Sequence, residues 1–362
     1  MDSALDSVFF GGGTPSLLSA GQLERIVQQI AARFGIAAAA ELSMEMDPGT
    51  FDLATLRGYR AVGINRVSMG VQAFQAELLT ACGRTHTPDD IARSVDLIRQ
   101  VDLPNFSLDL ISGLPHQTLD HWQNSLEQAI ALGPTHISTY DLTVEPVTAF
   151  GRWYQPGAHP LPTDDDTAAM YRLAQQTLTA AGFDHYEISN YARPGYQCRH
   201  NRVYWENRPF YGWGMGATSY YTQRQRVNRP RTRRQYAEWV QDLQRRAGIL
   251  EEPCTEPSDA LLETLMLGLR LHEGLNLRSL RDQFGDRSIH QVLVCLSRFH
   301  RQGWVEQTDG ELRSQPFTND LALIPAETRL RFTDPEGFLF SNVMLSDLFK
   351  ALDRPAPEPS GS

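Results

Sequence analysis

Residues that could hold a charged ligand stand near the ends of short apolar segments in the first third of the chain. Three glycines at 11–13 follow the first such segment, and Glu45, Gln72 and Asp109 stand near the ends of the next three. Glycine lets a backbone approach a ligand closely with its N–H and C=O groups available. Each feature alone is more often a plain turn or a solvated side chain. Their joint placement on successive segments suits a ligand that carries an ammonium group and hydroxyls.

A second group of side chains lies in the string Cys-Arg-His-Asn-Arg-Val-Tyr-Trp at residues 198–205. His200 could bind a metal ion through its imidazole, and Tyr204 and Trp205 could stack on a flat ring system. The alternative is an aromatic loop packed across the mouth of the domain, with His200 as a hydrogen-bonded interior residue. A single histidine more often has that second role.

Short apolar segments alternate with longer helical patterns over the first 190 residues or so. Strands are expected at residues 7–10, 42–45, 66–71, 106–110, 136–141 and 184–188. Such alternation predicts a parallel sheet with helices outside. Functional residues in these sheets gather at the carboxyl ends of the strands. Six strands are fewer than the eight of a complete barrel, so a partial barrel is expected.

The pattern changes in the second half of the chain. Residues 191–234 are rich in aromatic residues, Gly and Arg, without a helical period. Short helices and a hairpin turned by Asp309-Gly310 follow from residue 258, an order typical of a winged-helix-like domain. We expect a barrel core at 1–245, a linker at 246–257, a C-terminal domain at 258–350 and a disordered tail at 351–362.

Four strings resemble a known family in their order and spacing: GGGTPS, MEMDPGT, RVSMGVQAF and SLDLISGLPHQ. They are similar to the radical S-adenosylmethionine (SAM) domain of oxygen-independent coproporphyrinogen III oxidases and their HemW relatives, over nearly the whole chain. The resemblance implies an α/β fold: a partial (β/α)6 TIM-like radical SAM barrel lacking its first βα unit, plus a small C-terminal winged-helix-like α-rich domain.

The same resemblance implies which residues contact SAM: Gly12, Gly13, Thr14, Glu45, Gln72, Arg84 and Asp109. Charge complementarity agrees, because Glu45 or Asp109 could offset the cationic ligand and Arg84 could bind its carboxylate. The alternative for Arg84 is a surface ion pair.

The string His-Asn-x-x-Tyr-Trp resembles the haem-binding motif of HemW-type haem chaperones. It implies haem contacts at His200, Asn201, Tyr204 and Trp205, with His200 favoured over Cys198 as a possible ligand of the haem iron. The expected function is a haem chaperone that binds haem and transfers it to acceptor haem proteins. The alternative is an oxygen-independent coproporphyrinogen III oxidase, an enzyme of haem biosynthesis.

The cysteines depart from the family pattern. The family holds a 4Fe–4S cluster with a C-x3-C-x2-C string just after its first strand. Cys82, Cys198, Cys254 and Cys295 do not have this spacing. The cluster is therefore expected only if the full-length protein has upstream cysteines, in which case this chain is truncated. A degenerate relative without the cluster is the alternative. As given, the chain is expected not to cleave SAM.

Composition narrows the range of partners. A net charge of −10 argues against nucleic acid as a partner, although a winged-helix-like end leaves this as a third hypothesis. Six arginines at 224, 226, 229, 231, 233 and 234 form a solvated face or, alternatively, a patch for haem propionates or an acidic partner. Scattered cysteines, no signal peptide and no long apolar run predict a cytoplasmic protein without a transmembrane segment. Peripheral contact with a membrane stays compatible with the sequence.

Overall fold

The computed structural model describes residues 4–145, 149–155, 157–221, 225–248 and 255–352. The chain divides into two compact units, Met1–His200 and Asn201–Ser362. The expected boundary near residue 245 stays a prediction. Half of the expected linker and nearly all of the expected tail lie outside the described residues, as do Arg224 and Cys254.

A seven-stranded sheet forms the centre of the first unit. Its strands are β1 Leu5–Phe10, β2 Ile36–Met46, β3 Arg66–Gln72, β4 Phe106–Ser112, β5 His136–Asp141, β6 Asp184–Glu187 and β7 Asn190–Ala192. The strand order is β1-β2-β3-β4-β5-β7-β6, and the first five strands are parallel. The sheet is the curled half-barrel that the sequence predicts.

Helices connect the strands of this sheet. They are α1 Ala20–Phe34, α2 Leu53–Val62, α3 Ala76–Ala81, α4 Pro88–Gln100, α5 Leu119–Ala131, α6 Ala149–Trp153, α7 Asp164–Ala180 and α8 Arg199–Trp205. The start of α4 shows how local sequence sets these bounds. Thr87 accepts a hydrogen bond from the Asp90 N–H in a capping box, and Pro88 occupies the first turn.

The two faces of the sheet differ in polarity, because side chains alternate along a strand. One face is apolar and packs on the helices through residues such as Leu42, Met44, Val67, Met69 and Leu108, together with Leu23, Ile91 and Trp122 of the helices. The other face, here called the inner face, carries Ser7, Glu41, Ser43, Glu45, Arg66, Ser68, Ser107, Asp109, His136 and Ser138. Bulky apolar residues usually fill a complete barrel of this kind. A polar inner face is therefore suited to a ligand.

The sixth expected strand forms, but in a different arrangement from a simple βα repeat. The short strand β7 pairs antiparallel with β5, and β6 pairs antiparallel with β7. Strand β6 is thus separated from the parallel strands by a return strand. A strand of three residues carries too little alternation to be seen in sequence.

The second unit contains two further sheets. Strands β8 Thr218–Tyr221 and β9 Gln225–Asn228 form a hairpin within the segment that showed no helical period. Strands β10 Leu275–Asn276, β11 Val305–Thr308, β12 Ser314–Gln315 and β13 Arg329–Phe332 form a sheet in the order β10-β13-β11-β12. The helices are α9 Arg233–Arg245, α10 Pro257–Gly268, α11 Leu277–Phe284, α12 Asp286–His300, α13 Glu336–Leu339 and α14 Ser341–Leu352.

The order helix–helix–helix–hairpin in this unit confirms the expected winged-helix-like arrangement. The pair β11 and β12 is antiparallel, and Asp309 accepts a hydrogen bond from the Glu311 N–H in the turn between them. Strand β13 and the last two helices were not predicted. Within the described ranges, no helix is both long and apolar enough to cross a membrane.

Candidate functional site

The glycine loop after β1 is held against Glu45 at the end of β2. Gly12 has φ 78° and Gly13 has φ 59°, and a Cβ atom added to either glycine would meet no atom within 4 Å. The Gly12 N–H donates to Glu45 Oε2 at 3.0 Å. Burial raises the pKa of Glu45 above its usual value, the Gly12 N–H opposes this rise, and the charges of Asp109 and Asp47 add to it. The loop therefore presents open backbone beside a carboxylate.

Gly70 of β3 lies at the centre of the next group. A Cβ on Gly70 would stand 3.1 Å from Gln72 Nε2, 3.2 Å from Asp47 Oδ1 and 3.6 Å from Arg84 Nη2. Gln72 is 7% exposed and has φ 68°, in the left-handed region that non-glycine residues rarely adopt. Arg84 Nη1 donates to Asp47 Oδ1 at 2.7 Å. A ligand carboxylate at Arg84 would share the guanidinium with Asp47.

Asp109 of β4 is held by serine hydroxyls on three neighbouring strands. Ser138 donates to Oδ1 at 2.7 Å, Ser107 to Oδ1 at 3.1 Å and Ser68 to Oδ2 at 2.9 Å. Burial raises the pKa of the Asp109 carboxyl, while these hydroxyls and the charge of Arg66 lower it. Sequence reasoning missed the serines. The pattern that could have indicated these serines is a polar residue at every second position of otherwise apolar strands.

Gly12, Glu45 and Gln72 lie at or just after the carboxyl ends of neighbouring strands, whereas Asp109 is the middle residue of β4. Glu45 pairs in register with Ser68, whose hydroxyl reaches Asp109 on the following strand. The charge of Asp109 acts in turn on Glu45. Gly12, Glu45, Gln72 and Arg84 thus lie near one edge of the sheet with Asp109 close by on the inner face, and their role as a ligand site stays a prediction. Thr14 stands directly after the glycines and precedes a single 3₁₀ turn.

His200 lies against β1 on the inner face. Its Nδ1 is 3.2 Å from the Ser7 hydroxyl oxygen, and its ring stacks on Phe9 with centroids 4.7 Å apart. Burial is the main cause that lowers the pKa of His200 to about 4; the charge of Glu41 opposes this, and that of Arg66 adds to it. The imidazole is therefore neutral at neutral pH.

Glu41 of β2 holds the start of the helix that carries His200. This carboxylate is 6% exposed and accepts hydrogen bonds from the Arg199 N–H at 3.1 Å and the His200 N–H at 3.0 Å. The Cys198 thiol donates to it at 3.7 Å. Four residues separate Glu41 from Glu45, about 13 Å at roughly 3.3 Å per residue. His200 is thus held nearer the amino ends of the strands than the glycine loop.

The other haem-motif residues belong to the second unit. Asn201 and Trp205 are partly buried. Tyr204 is 38% exposed and meets the Phe210 ring edge-on at 4.6 Å. Trp213 is 49% exposed and stacks on Tyr211 at 5.9 Å. This unit therefore presents exposed aromatic rings close to the motif in sequence.

Several of the clustered arginines have partners within the second unit. Arg226 pairs with Glu263 at 2.7 Å, and Arg234 pairs with Glu238 at 2.9 Å. Arg229 is 8% exposed, with its guanidinium 5.3 Å from the centre of the Trp239 ring. Arg226 and Arg229 are thus partly or fully buried in an ion pair and a ring contact, whereas Arg231, Arg233 and Arg234 are exposed and form a solvated face.

Two family models match the chain. Residues 2–129 match the radical SAM superfamily, and residues 256–316 match the HemN C-terminal domain. The first match implies SAM and a 4Fe–4S cluster for the family. The glycine backbone, Glu45 and Asp109 fit a cationic amino-acid ligand, because they supply exposed main-chain groups and carboxylates at one edge.

The three cysteines that the structure describes do not fit a 4Fe–4S cluster. Cys82 donates to the Leu79 carbonyl, Cys198 lies beside Glu41, and Cys295 is in α12 of the other unit. Among the residues that the structure describes, no group of three His, Cys, Asp or Glu side chains could hold a metal ion.

Similar proteins carry the chaperone name. The chain is 47% identical to "Heme chaperone HemW" of Synechocystis over 96% of this chain and 84% of that protein. It is 34% identical to the Bacillus subtilis protein of that name, over 78% of this chain and 74% of the relative. The match to the Escherichia coli protein, at 44% identity, covers 58% of this chain and about half of the relative, 55%.

A solved structure shares the fold. It is coproporphyrinogen III oxidase (HemN) from Escherichia coli, with a TM-score of 0.74 over 96% of this chain and 77% of that one, at 21% identity. The fold, the two family models and the identity to the Synechocystis relative agree. This chain belongs to the HemW-type family of radical SAM proteins.

Proposed function

We propose that this chain binds haem as its cargo and passes it to haem proteins, as the name of its relatives describes. The observation that carries the proposal is the state of His200, a neutral imidazole fixed on the inner face by Ser7 and Phe9. Neutral imidazole is the form of histidine that binds iron. A hydrogen bond at the second ring nitrogen is the usual way to orient such a ligand, and Ser7 provides one at Nδ1.

Cys198 is a weaker candidate for the iron ligand. It is 1% exposed, and its thiol points at the Glu41 carboxylate. Iron binds cysteine as the thiolate. Loss of the thiol proton would remove the hydrogen bond to Glu41 and place the thiolate beside that like charge, with Arg66 as the nearby cation.

The edge with the glycine loop is proposed to hold SAM. Gly12, Gly13 and Thr14 would contact the amino-acid part, with Glu45, Gln72, Arg84 and Asp109 around it. When bound with a reduced cluster, SAM is the family's source of radical chemistry. We assign these residues to binding of SAM; among the residues that the structure describes, no group of cysteines could hold the cluster.

Haem titration of the purified chain tests the proposal. We expect a Soret band to appear on binding, and His200→Ala to weaken haem binding at least tenfold. His290→Ala removes an exposed histidine of the second unit and serves as the matched control. Equal haem affinity and an unchanged spectrum in His200→Ala would contradict the assignment of the ligand. No haem binding by the chain itself would contradict the function.

Transfer is tested separately. The haem-loaded chain is mixed with apomyoglobin, and the myoglobin spectrum is followed over time. Release no faster than spontaneous haem loss would argue against a chaperone. The alternative, oxidation of coproporphyrinogen III, is supported by the fold and by strings that both groups share, and formation of protoporphyrinogen by this chain would favour it.

A further inference from the structure

A buried arginine lies on the inner face without a salt bridge to any described residue. Arg66 begins β3 and is only 2% exposed. Its Nε is sealed from solvent without a hydrogen-bond partner. Over the described ranges, no carboxylate oxygen lies within 4 Å of its guanidinium nitrogens. A guanidinium carries five donors in a rigid fork, so a buried one without acceptors is unusual.

The nearby carboxylates are already engaged by other donors. Glu41 accepts from the main-chain N–H groups of Arg199 and His200, and from the Cys198 thiol. Asp109 accepts from three serine hydroxyls, one on its own strand and one on each neighbouring strand. Both carboxylates act on Arg66 through their charge, and the Arg66 Nε has no hydrogen-bond partner among the described residues. Burying such a group is costly unless acceptor oxygens reach it.

We propose that Arg66 is an internal binding site for a carboxylate group of the protein's ligand, an inference that rests on the proposed function. A carboxylate matches the guanidinium fork with two parallel hydrogen bonds. Two ligands could supply it: a haem propionate or the amino-acid carboxylate of SAM.

The position of Arg66 favours the haem propionate. Arg66 pairs in register with Ser43, which stands two residues before Glu45 on β2. It therefore lies nearer the amino ends of the strands than the glycine loop does. Its charge is close enough to His200 to lower the pKa of the imidazole. A porphyrin bound at His200 would bring propionates within the region of the arginine. Arg84 lies at the glycine-loop edge and is the nearer cation for SAM.

The wild-type chain provides the first test. Its affinity for haem is compared with that for haem dimethyl ester, in which both propionates are blocked. Its affinity for SAM is compared with that for decarboxylated SAM. We expect the ester to bind at least tenfold more weakly than haem. The affinities for SAM and for decarboxylated SAM should differ by a smaller factor. A difference confined to the SAM pair assigns the carboxylate to SAM. Equal affinities within both pairs would overturn the proposal and leave water as the partner of Arg66.

Arg66 variants give the second test. We expect Arg66→Gln to weaken haem binding at least tenfold while leaving binding of the ester unchanged, and Arg66→Lys to give an intermediate loss. Arg33→Gln, at an exposed position of α1, is the control and should change neither affinity. Equal losses for haem and ester would overturn the proposal. If Arg66→Gln does not fold, the wild-type comparison decides.

The two hypotheses fail in different ways. If the chain binds neither haem nor its ester, the haem-chaperone function fails, and the SAM pair alone decides whether Arg66 binds a carboxylate. If haem binds and its ester binds equally well, the function stands and the role of Arg66 in haem binding fails.

Discussion

Replacing Glu41 by glutamine should loosen the start of the helix that carries His200. The Glu41 carboxylate accepts hydrogen bonds from the N–H groups of Arg199 and His200, one at each oxygen. Glutamine keeps one acceptor oxygen and replaces the other by an NH2 group, which only donates. At least one main-chain N–H at the first turn of α8 then faces another donor in a buried position.

The size of the effect follows from this count. One hydrogen bond to a charged acceptor contributes about 1.5–3 kcal/mol. Because about 1.4 kcal/mol corresponds to a factor of ten, the helix start should open roughly tenfold to a hundredfold more often. The rest of the sheet keeps its contacts, so the loss should be confined to the region around Cys198–Trp205.

Hydrogen exchange measures this local opening directly. The amide protons of Arg199 and His200 should exchange roughly tenfold to a hundredfold faster in Glu41→Gln, with amides of the central strands unchanged. Glu24→Gln is the control, since Glu24 is exposed on α1 and accepts only from the Gln28 side chain. Unchanged protection at both amides would refute the role of Glu41. The haem spectrum should shift in Glu41→Gln alone, since His200 moves with its helix.

Three further outcomes are expected. The pKa of His200 falls from 6.5 in the unfolded chain to about 4 in the folded one, so the unfolded chain binds a proton more readily. The contribution of His200 to the unfolding free energy is therefore fully present above pH 6.5 and falls by about 2 kcal/mol between pH 7 and 5. Urea unfolding measures this loss, which His200→Gln should remove. Gly70→Ala should weaken SAM binding about tenfold in calorimetry, because the new Cβ atom would crowd the side chains of Gln72 and Asp47. Gly21→Ala should leave SAM binding unchanged, because a Cβ atom at Gly21 would meet no atom within 4 Å. Tyr186→Phe removes a hydroxyl that lies 2.8 Å from His136 Nε2 and accepts the Cys198 N–H at 3.3 Å. It should lower the unfolding free energy by about 1–3 kcal/mol, and no change would mean that neither bond contributes.

Local signals predicted many of the elements well. Helices α4 and α11 have the bounds that the sequence indicated, because a threonine and proline start the first and an apolar stripe defines the second. Strand β2 was predicted at 42–45 but extends over Ile36–Met46. The run of alanines before Glu41 carries no alternation of polar and apolar residues, so the strand was cut short and Glu41 was missed.

The sequence by itself determined the βα order, the polar groups at strand ends and the family to which they belong. These depend on neighbours in the chain, on periodicity and on recognisable strings. Only the tertiary structure decided which side chains meet across the inner face. Glu41 is 159 residues from His200, and the Arg66 Nε has no hydrogen-bond partner among the described residues while other groups occupy Glu41 and Asp109. Such contacts are set by the register of strands and by the path of a returning helix, which alternation within one segment does not specify.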